Sequence, residues 1–502
     1  MDNLNRITGT QAGTGNVEFG EKLSEFDALL QKEFKPQTES RKTAVQEAVR
    51  TLAEQALAGV ALIPGDALRT IESLIAEIDQ QISSQLNVIL HHEDFKTLEG
   101  TWRGLHHLVS NTETDEFLKI RVLNISKNDL GKTLRKHKGA SWDQSAIFRK
   151  IYEDEFGTPG GTPYGCLVGD YYFDHSPSDV ELLAGIGKVA AAAHAPFISA
   201  TAPSLLNMES WQELSNPRDL TKIFETAEYA PWKSLRESED ARYIGLTMPR
   251  FLSRLPYGAK TSPVDEFAFE EDVEGSDHGK YVWSNAAYAM ATNITRSFKL
   301  YGWCARIRGA ESGGMVEGLP CHTFPTDDGG VDMKCPTEIS ITDRREAELA
   351  KNGMMPLSHW KNTDYAVFVG AQSLQKPAQY DDPDATANAN LSARLPYLFA
   401  TCRFAHYLKC IVRDKIGSFK ERGDMENWLN NWITKFVAAD DTASEEIKAQ
   451  LPLREAQVTV EEIAGNPGYY SAKFWMRPHY QLEGLTVSLR LVSRLPSAKQ
   501  QG

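Results

Sequence analysis

Two adjacent histidine pairs, His91-His92 and His106-His107, bracket Glu93, Asp94 and Glu99 in the stretch HHEDFKTLEGTWRGLHHL. Histidines and carboxylates together are the ligands with which proteins hold a catalytic metal. Each ligand must sit about 2 Å from the ion. Read as a helix rising about 1.5 Å per residue, the stretch places His91 and His106 about 22 Å apart. One ion cannot reach both pairs. The run His91-His92-Glu93-Asp94 continues with Phe95 and has no histidine at i+4, so the H-E-x-x-H spacing is also missing. What the helix does carry is an apolar stripe of Phe95, Leu98, Trp102, Leu105 and Val109 at i, +3, +7, +10 and +14. His91 falls on the stripe and His106 at its edge, while His92 lies off it and His107 nearly opposite. The spacing predicts a packing helix rather than a metal site.

Four other places invite a chemical reading. In GIGKVAA, Gly185–Ala191, a phosphate loop needs a glycine at Leu182 and a hydroxyl at Val189, so a close-packed helix fits better. In GAESGGM, Gly309–Met315, a nucleophile elbow needs glycine where Ala310 stands and a helix directly after it, so a loop is expected. Cys321, His322 and Cys335 supply three zinc-type ligands without a paired motif or a fourth. The acidic run Asp265–Asp277 lacks the spacing of a calcium loop and reads as a solvated loop. No catalytic residue, metal site or cofactor site is expected.

The elements that must position any site belong to an ordinary globular chain. Its 502 residues are 41% hydrophobic and 24% charged, which is enough for a large core. The net charge of −14 disfavours nucleic acid and anionic membranes as partners. No apolar signal segment opens the chain, and no run of 18 apolar residues would insert in a membrane. Six scattered cysteines without a C-x-x-C fit reduced thiols and a cytoplasmic location.

Residues 1–40 read as a flexible arm whose one apolar nucleus is NVEFGEKL, and 41–110 as a helical region. From Phe117 the texture changes. FLKIRVLNIS alternates like a strand and KNDLGKTLRK like a surface helix. PYGCLVGDYYF, PFISATA and DYAVFVGAQSL read as strands. SDVELLAGIGKVAAAAH, the long apolar YVWSNAAYAMATNITRSFKLYGW, TDRREAELAKNGMM with Gly353 as its stop, and SARLPYLFATCRFAHYLKCIVRDKI read as helices. Strand–helix alternation of this kind predicts an α/β (α+β) layer over 111–400. In MENWLNNWITKFV one face collects Trp428, Leu429, Trp432, Ile433 and Phe436. At the end of 401–502, YSAKFWMRPHYQ and LTVSLRLVSRL alternate with period two across a short link, which predicts a β-hairpin.

The block LHHEDFKTLEGTWRGLHHLV with FLKIRVLNISKNDL closely resembles the large subunit of the type VI secretion contractile sheath, the TssC/VipB (ImpC/EvpB) family. So do VGDYYFDHSPSDVELLAGIGKVAAAAHAPFISA, PTEISITDRREAELAKNGMMPL and LSARLPYLFATCRFAHYLKCIVRDKIGSF. The resemblance runs in order from about residue 80 to the terminal hairpin. It implies a structural protein with the fold of contractile tail sheaths, not an enzyme. It also implies pairing with a small sheath subunit (TssB/VipA) and stacking with further copies of itself around an Hcp inner tube. Contact with a baseplate and disassembly by the ATPase ClpV follow from the same likeness. The terminal hairpin becomes an intersubunit sheet: Val17, Glu18 and Phe19 are the incoming strand. Lys473, Phe474, Trp475 and Met476 with Thr486, Ser488, Arg490 and Val492 are the receiving one. Lys415, Lys420, Glu421, Arg422 and Asp424 are expected to face the inner tube. The His91–Leu108 helix is expected to brace the core, with Trp102 and Leu105 packed inside and Glu99 or Arg103 in salt bridges. The remaining alternatives are a phage-type sheath, which would assemble without a small partner, and an enzyme with a convergent polar pocket.

Overall fold

A computed structural model describes residues 67–137, 139–216, 219–326, 328–415, 422–440, 442–462 and 470–479, together with Thr43, Glu47 and Thr51. The chain divides into two compact units, one of residues up to Lys96 with Leu255–Tyr281, the other of Thr97–Arg254 and everything from Val282.

In the first unit, helix α1 (Ala67–Leu90) leads to the first turn of α2 (Glu93–Ser110). The loop of residues 255–281 is fastened to the end of α1 by side-chain contacts. Asn87 accepts the amide of Asp272 at 2.8 Å and donates to the carbonyl of Glu270. His91 stands 3.4 Å from the buried carboxylate of Glu271, which also accepts the Tyr257 amide at 2.8 Å. Lys96 caps the carbonyl of Gly279 at 2.6 Å, and Lys280 pairs with Asp272 and Asp277 at 3.0 Å each. The acidic run is largely solvated, as expected, with Asp265, Glu266, Glu270, Asp272 and Glu274 exposed, while Glu271 is buried and holds the loop in place.

The second unit is built on a six-stranded mixed sheet. Helix α3 (Lys127–Lys136), capped by the Ser126 hydroxyl, precedes β1 (Leu167–Phe173), α4 (Pro177–Ala193) and β2 (Phe197–Thr201). Short helices then lead to β3 (Ile244–Met248). Two residue pairs, β4 (Phe251–Leu252) and β5 (Trp283–Ser284), form a small antiparallel sheet. Next come α5 (Ala286–Tyr301), β6 (Met315–Val316), the hairpin β7 (Thr323–Pro325) and β8 (Val331–Met333), α6 (Asp343–Lys351), β9 (Met354–His359) and β10 (Ala366–Phe368). Strand order is β1-β2-β3-β9-β10-β6, parallel as far as β9 and antiparallel after it. Strands β2 and β3 are buried at every residue, as the middle of a sheet covered on both faces requires. Alternate residues feed two cores. Phe197 and Met354 join Leu183, Ile186 and Trp211 on one side, while Ile198 and Met355 join Ala287, Met290 and Phe399 on the other. In α4, a Cβ on Gly185 would lie 3.2 Å from Leu134 and one on Gly187 3.1 Å from Ile244, so the GIGK stretch is a packing face, as its helix reading expected.

Helices α7 (Leu395–Lys415) and α8 (Arg422–Ile433) and strands β11 (Leu453–Glu462) and β12 (Tyr470–Pro478) gather around a third core. Among the described residues, no helix is long and apolar enough to cross a membrane.

Two expectations fail. Residues 117–126 form no strand: the Asp115 carboxylate accepts the amides of Phe117 and Leu118 and turns the chain. Among the described residues the segment has no neighbouring strand. Phe117 is left 81% exposed. Helix α2 also docks on a face other than its apolar stripe. The buried residues are Gly100, Gly104 and Leu108, because the glycines let the helix approach the Trp283 carbonyl and the Tyr288 ring, where a Cβ would lie 2.4 Å away in each case. Trp102, expected inside, is 64% exposed, and Leu98 is 56% exposed; Leu105 is half-buried. The expected salt bridge is present: Glu99 accepts from Arg103 at 2.7 Å and from the buried Arg254 at 2.6 Å. Burial opposes ionisation of Glu99, but the two guanidiniums hold its carboxyl below the usual range.

Candidate functional site

Among the described residues, the β11–β12 ribbon forms a two-stranded sheet of its own. It pairs antiparallel from Glu455↔Arg477 to Glu462↔Tyr470, with a bulge at the Leu453 end. Period two governs both strands. Val458 and Val460 on β11, and Ala472, Phe474 and Met476 on β12, turn into the third core, while Lys473 and Trp475 point outward. Helix α8 covers the inner face with Leu429 and Ile433, both almost fully buried, and with Trp428, Trp432 and the following Phe436, the face its sequence predicted. The exposed cross-strand pairs Lys473–Glu461, at 2.7 Å, and Arg477–Glu455, at 3.5 Å, set register more than stability.

The two edges of this ribbon differ. On β11, Asn430 of α8 donates to the Val458 carbonyl at 2.8 Å and accepts the Val458 amide at 2.9 Å. Glu426, one turn earlier, accepts the Val460 amide at 3.0 Å. Two side chains thus imitate a neighbouring strand and close that edge. Because Val458 turns its backbone groups away from β12, its partner Phe474 turns its own away from β11. The outer edge of β12 therefore presents the amides and carbonyls of Ala472, Phe474 and Met476, and no strand among the described residues pairs with it. With β11 capped at Val458 and Val460, the β12 edge is the one that offers a longer run of backbone groups to an added strand.

Of the residues singled out in sequence, Lys473, Phe474, Trp475 and Met476 lie on β12, with Trp475 52% exposed. Val17, Glu18, Phe19, Thr486, Ser488, Arg490 and Val492 lie outside the described residues, as do Lys420 and Glu421. Lys415 ends α7, Arg422 begins α8, and Asp424 is exposed in the first turn of α8. The described partner of the 473–476 strand is β11, which the sequence reading did not assign. Its signal was present in the alternation of Val458 and Val460 with Gln457, Thr459 and Glu461. Asn430 and Glu426, four residues apart on α8, had no signal until the strand they cap was in view.

The histidines have structural explanations. His107 is packed 5.1 Å from the Phe251 ring, and burial pushes it down to about 4. On α7, His406 donates through Nε2 to the Ala193 carbonyl at 2.8 Å, and burial pushes it down to about 4. Among the described residues, no three metal-ligating side chains converge.

Comparison with known proteins gives one consistent result. A family described as EvpB/VC_A0108, tail sheath N-terminal domain, matches residues 72–375, and its companion tail sheath gpW/gp25-like domain matches 384–495. The type VI secretion system sheath protein TssC1 of Pseudomonas aeruginosa is 71% identical over 481 residues, covering 96% of this chain and 97% of that protein. Solved structures that resemble it at 10–12% identity include the baseplate of the anti-feeding prophage, with a TM-score of 0.35 over 76% of this chain and 84% of that one. The contracted helical sheath of the same particle scores 0.29 over 62% and 66%.

Proposed function

The chain belongs to the EvpB/VC_A0108 tail sheath family, and from that premise we propose how this structural sheath protein of a type VI secretion system, which is not an enzyme, joins its neighbours. It pairs with a small sheath subunit of the TssB/VipA kind, and the pairs stack with further copies around an Hcp-like inner tube in the cytoplasm. Contraction drives the tube outward from a baseplate, and a ClpV-type ATPase takes the spent sheath apart. The joint between copies is strand addition at the free edge of β12. The terminal segment around Thr486–Val492 returns along that edge, and the arm strand Val17–Phe19 of a neighbouring copy extends the sheet.

The observation that carries this joint is the asymmetry of the ribbon, with β11 capped by Asn430 and Glu426 and β12 open. Four added backbone hydrogen bonds contribute about 0.5–1.5 kcal/mol each, a modest amount at one joint that repetition along a helical lattice multiplies. The contact joins an arm to a different surface of the next copy, so it is heterologous and propagates. The exposed apolar face of α2 supports the same reading, since an isolated soluble chain rarely leaves such residues grouped in water.

Negative-stain microscopy of the chain expressed with and without the small subunit tests the proposal. Hollow tubes only on co-expression are expected. Tubes from this chain alone would make it a self-sufficient, phage-type sheath, and monodisperse particles in both preparations would end the polymer reading.

A further inference from the structure

The densest chemistry that the sheath role leaves unused is a pair of thiols beside a histidine at the base of the β7–β8 hairpin. The hairpin pairs Thr323 with Met333, Phe324 with Asp332 and Pro325 with Val331. The Lys334 amide donates to the His322 carbonyl at 2.7 Å and the Thr326 amide to Gly330 at 3.0 Å, which makes 322/334 a hydrogen-bonded pair. Extended one step beyond the last bonded pair, the same register sets Cys321 opposite Cys335 in a non-hydrogen-bonded position. Such pairs have Cα atoms about 4.5 Å apart, inside the roughly 4.4–6.8 Å that a disulfide spans. Both thiols are free and partly exposed.

The surroundings divide the two sulfurs by role. Cys335 Sγ lies 3.2 Å from the Thr337 hydroxyl, and the nearby His359 ring favours its thiolate. His359 donates through Nε2 to the Thr363 carbonyl at 2.9 Å, since a carbonyl only accepts; Nδ1 is then the nitrogen left to take the Cys335 proton. The same Thr363 carbonyl is 3.7 Å from Cys321 Sγ, so Cys321 and His359 approach the same carbonyl. Burial works against a Cys335 thiolate, but the His359 and Thr337 contacts hold that thiol below its ordinary value. Burial, with Asp364 and Cys335 nearby, pushes Cys321 up.

We propose that Cys335 and Cys321 are a peroxide-oxidisable pair, with Cys335 attacking, Cys321 resolving and His359 positioning and deprotonating the attacking sulfur. The oxidant is a hydroperoxide. The Cys335 thiolate attacks one peroxide oxygen, the O–O bond breaks, and the leaving oxygen departs as water with hydrogen peroxide, taking the proton held on His359. This leaves a sulfenic acid on Cys335. Cys321 then gives up its proton and attacks that sulfur, the S–S bond forms, the S–O bond breaks, and a second water leaves. Two thiols are oxidised to one disulfide and one peroxide is reduced to two waters. The bridge staples the base of the hairpin, and a low-molecular-weight dithiol reverses it.

The test uses the full chain treated with hydrogen peroxide and digested without reduction. A peptide joined through Cys321 and Cys335 is expected, and it should vanish with dithiothreitol. C321S should stop at a Cys335 sulfenic acid that dimedone labels, and C335S should give neither product. Before oxidation, Cys335 should alkylate with iodoacetamide about tenfold or more faster than Cys321. H359N should abolish that advantage and move the pH midpoint of Cys335 alkylation upward, a shift that a merely structural histidine would not cause. Circular dichroism confirms that each variant is folded. Peroxide treatment that leaves both thiols reduced, a Cys335 sulfenic acid in the parent chain that never closes, or equal alkylation rates would overturn the proposal.

Discussion

At the scale of single residues, Glu99 and the buried His406 contribute to stability through their surroundings. Glu99 holds Arg103 and the buried Arg254 together. Glu99→Ala would leave the Arg254 charge buried without its carboxylate and should cost about 3 kcal/mol in chemical denaturation. Replacing Arg254 by Met in the same chain should restore part of it. His406 sets a pH dependence. Its ordinary value is 6.5, and burial lowers it to about 4 in the folded chain. Between these values the unfolded chain binds the extra proton, so this stability is complete above about pH 6.5 and is lost as pH falls toward 4. By pH 5 the loss is about 2 kcal/mol. Denaturation midpoints at pH 7 and pH 5 should therefore separate less for His406→Gln than for the parent chain, and an unchanged separation would remove His406 from the account.

At the scale of elements, α2 and α8 show two ways in which a helix meets a sheet. Helix α2 comes close through Gly100 and Gly104. A methyl group at Gly100 meets the backbone of Trp283, which has little room to move, whereas one at Gly104 meets a side-chain ring. Gly100→Ala should destabilise by about 1–3 kcal/mol, even though alanine favours a helix over glycine by about 1 kcal/mol, and Gly104→Ala should cost less. Helix α8 instead reaches out with Asn430 and Glu426 to finish β11. Asn430→Ala would leave two backbone groups of Val458 unpaired and cost about 1–3 kcal/mol. It would also open a second strand edge, so light scattering should show association of the isolated chain that the parent lacks.

At the scale of the whole molecule, the described residues leave the β12 edge without a strand partner and the apolar outer face of α2 exposed. Deleting residues 1–20 should leave the pairing with the small subunit intact, by gel filtration, while long sheaths disappear from micrographs. Contractile sheaths formed without the arm would refute the strand-exchange joint and leave the family membership untouched.

The sequence by itself determined the main helices, the buried strands β1, β2 and β10, the amphipathic face of α8 and the family, because periodicity and long ordered blocks are local signals. It misjudged α2, where Leu98 and Trp102 make the stronger stripe but two glycines make the docked face. Hydrophobicity records which side chains avoid water, and only tertiary packing decides whether the chain itself or a neighbour covers them. It also passed over β11, whose charged residues weaken its pattern. The polarity of the ribbon belongs to the folded state entirely, since Asn430 and Val458 are 28 residues apart in sequence and become partners only when α8 is laid along the strand.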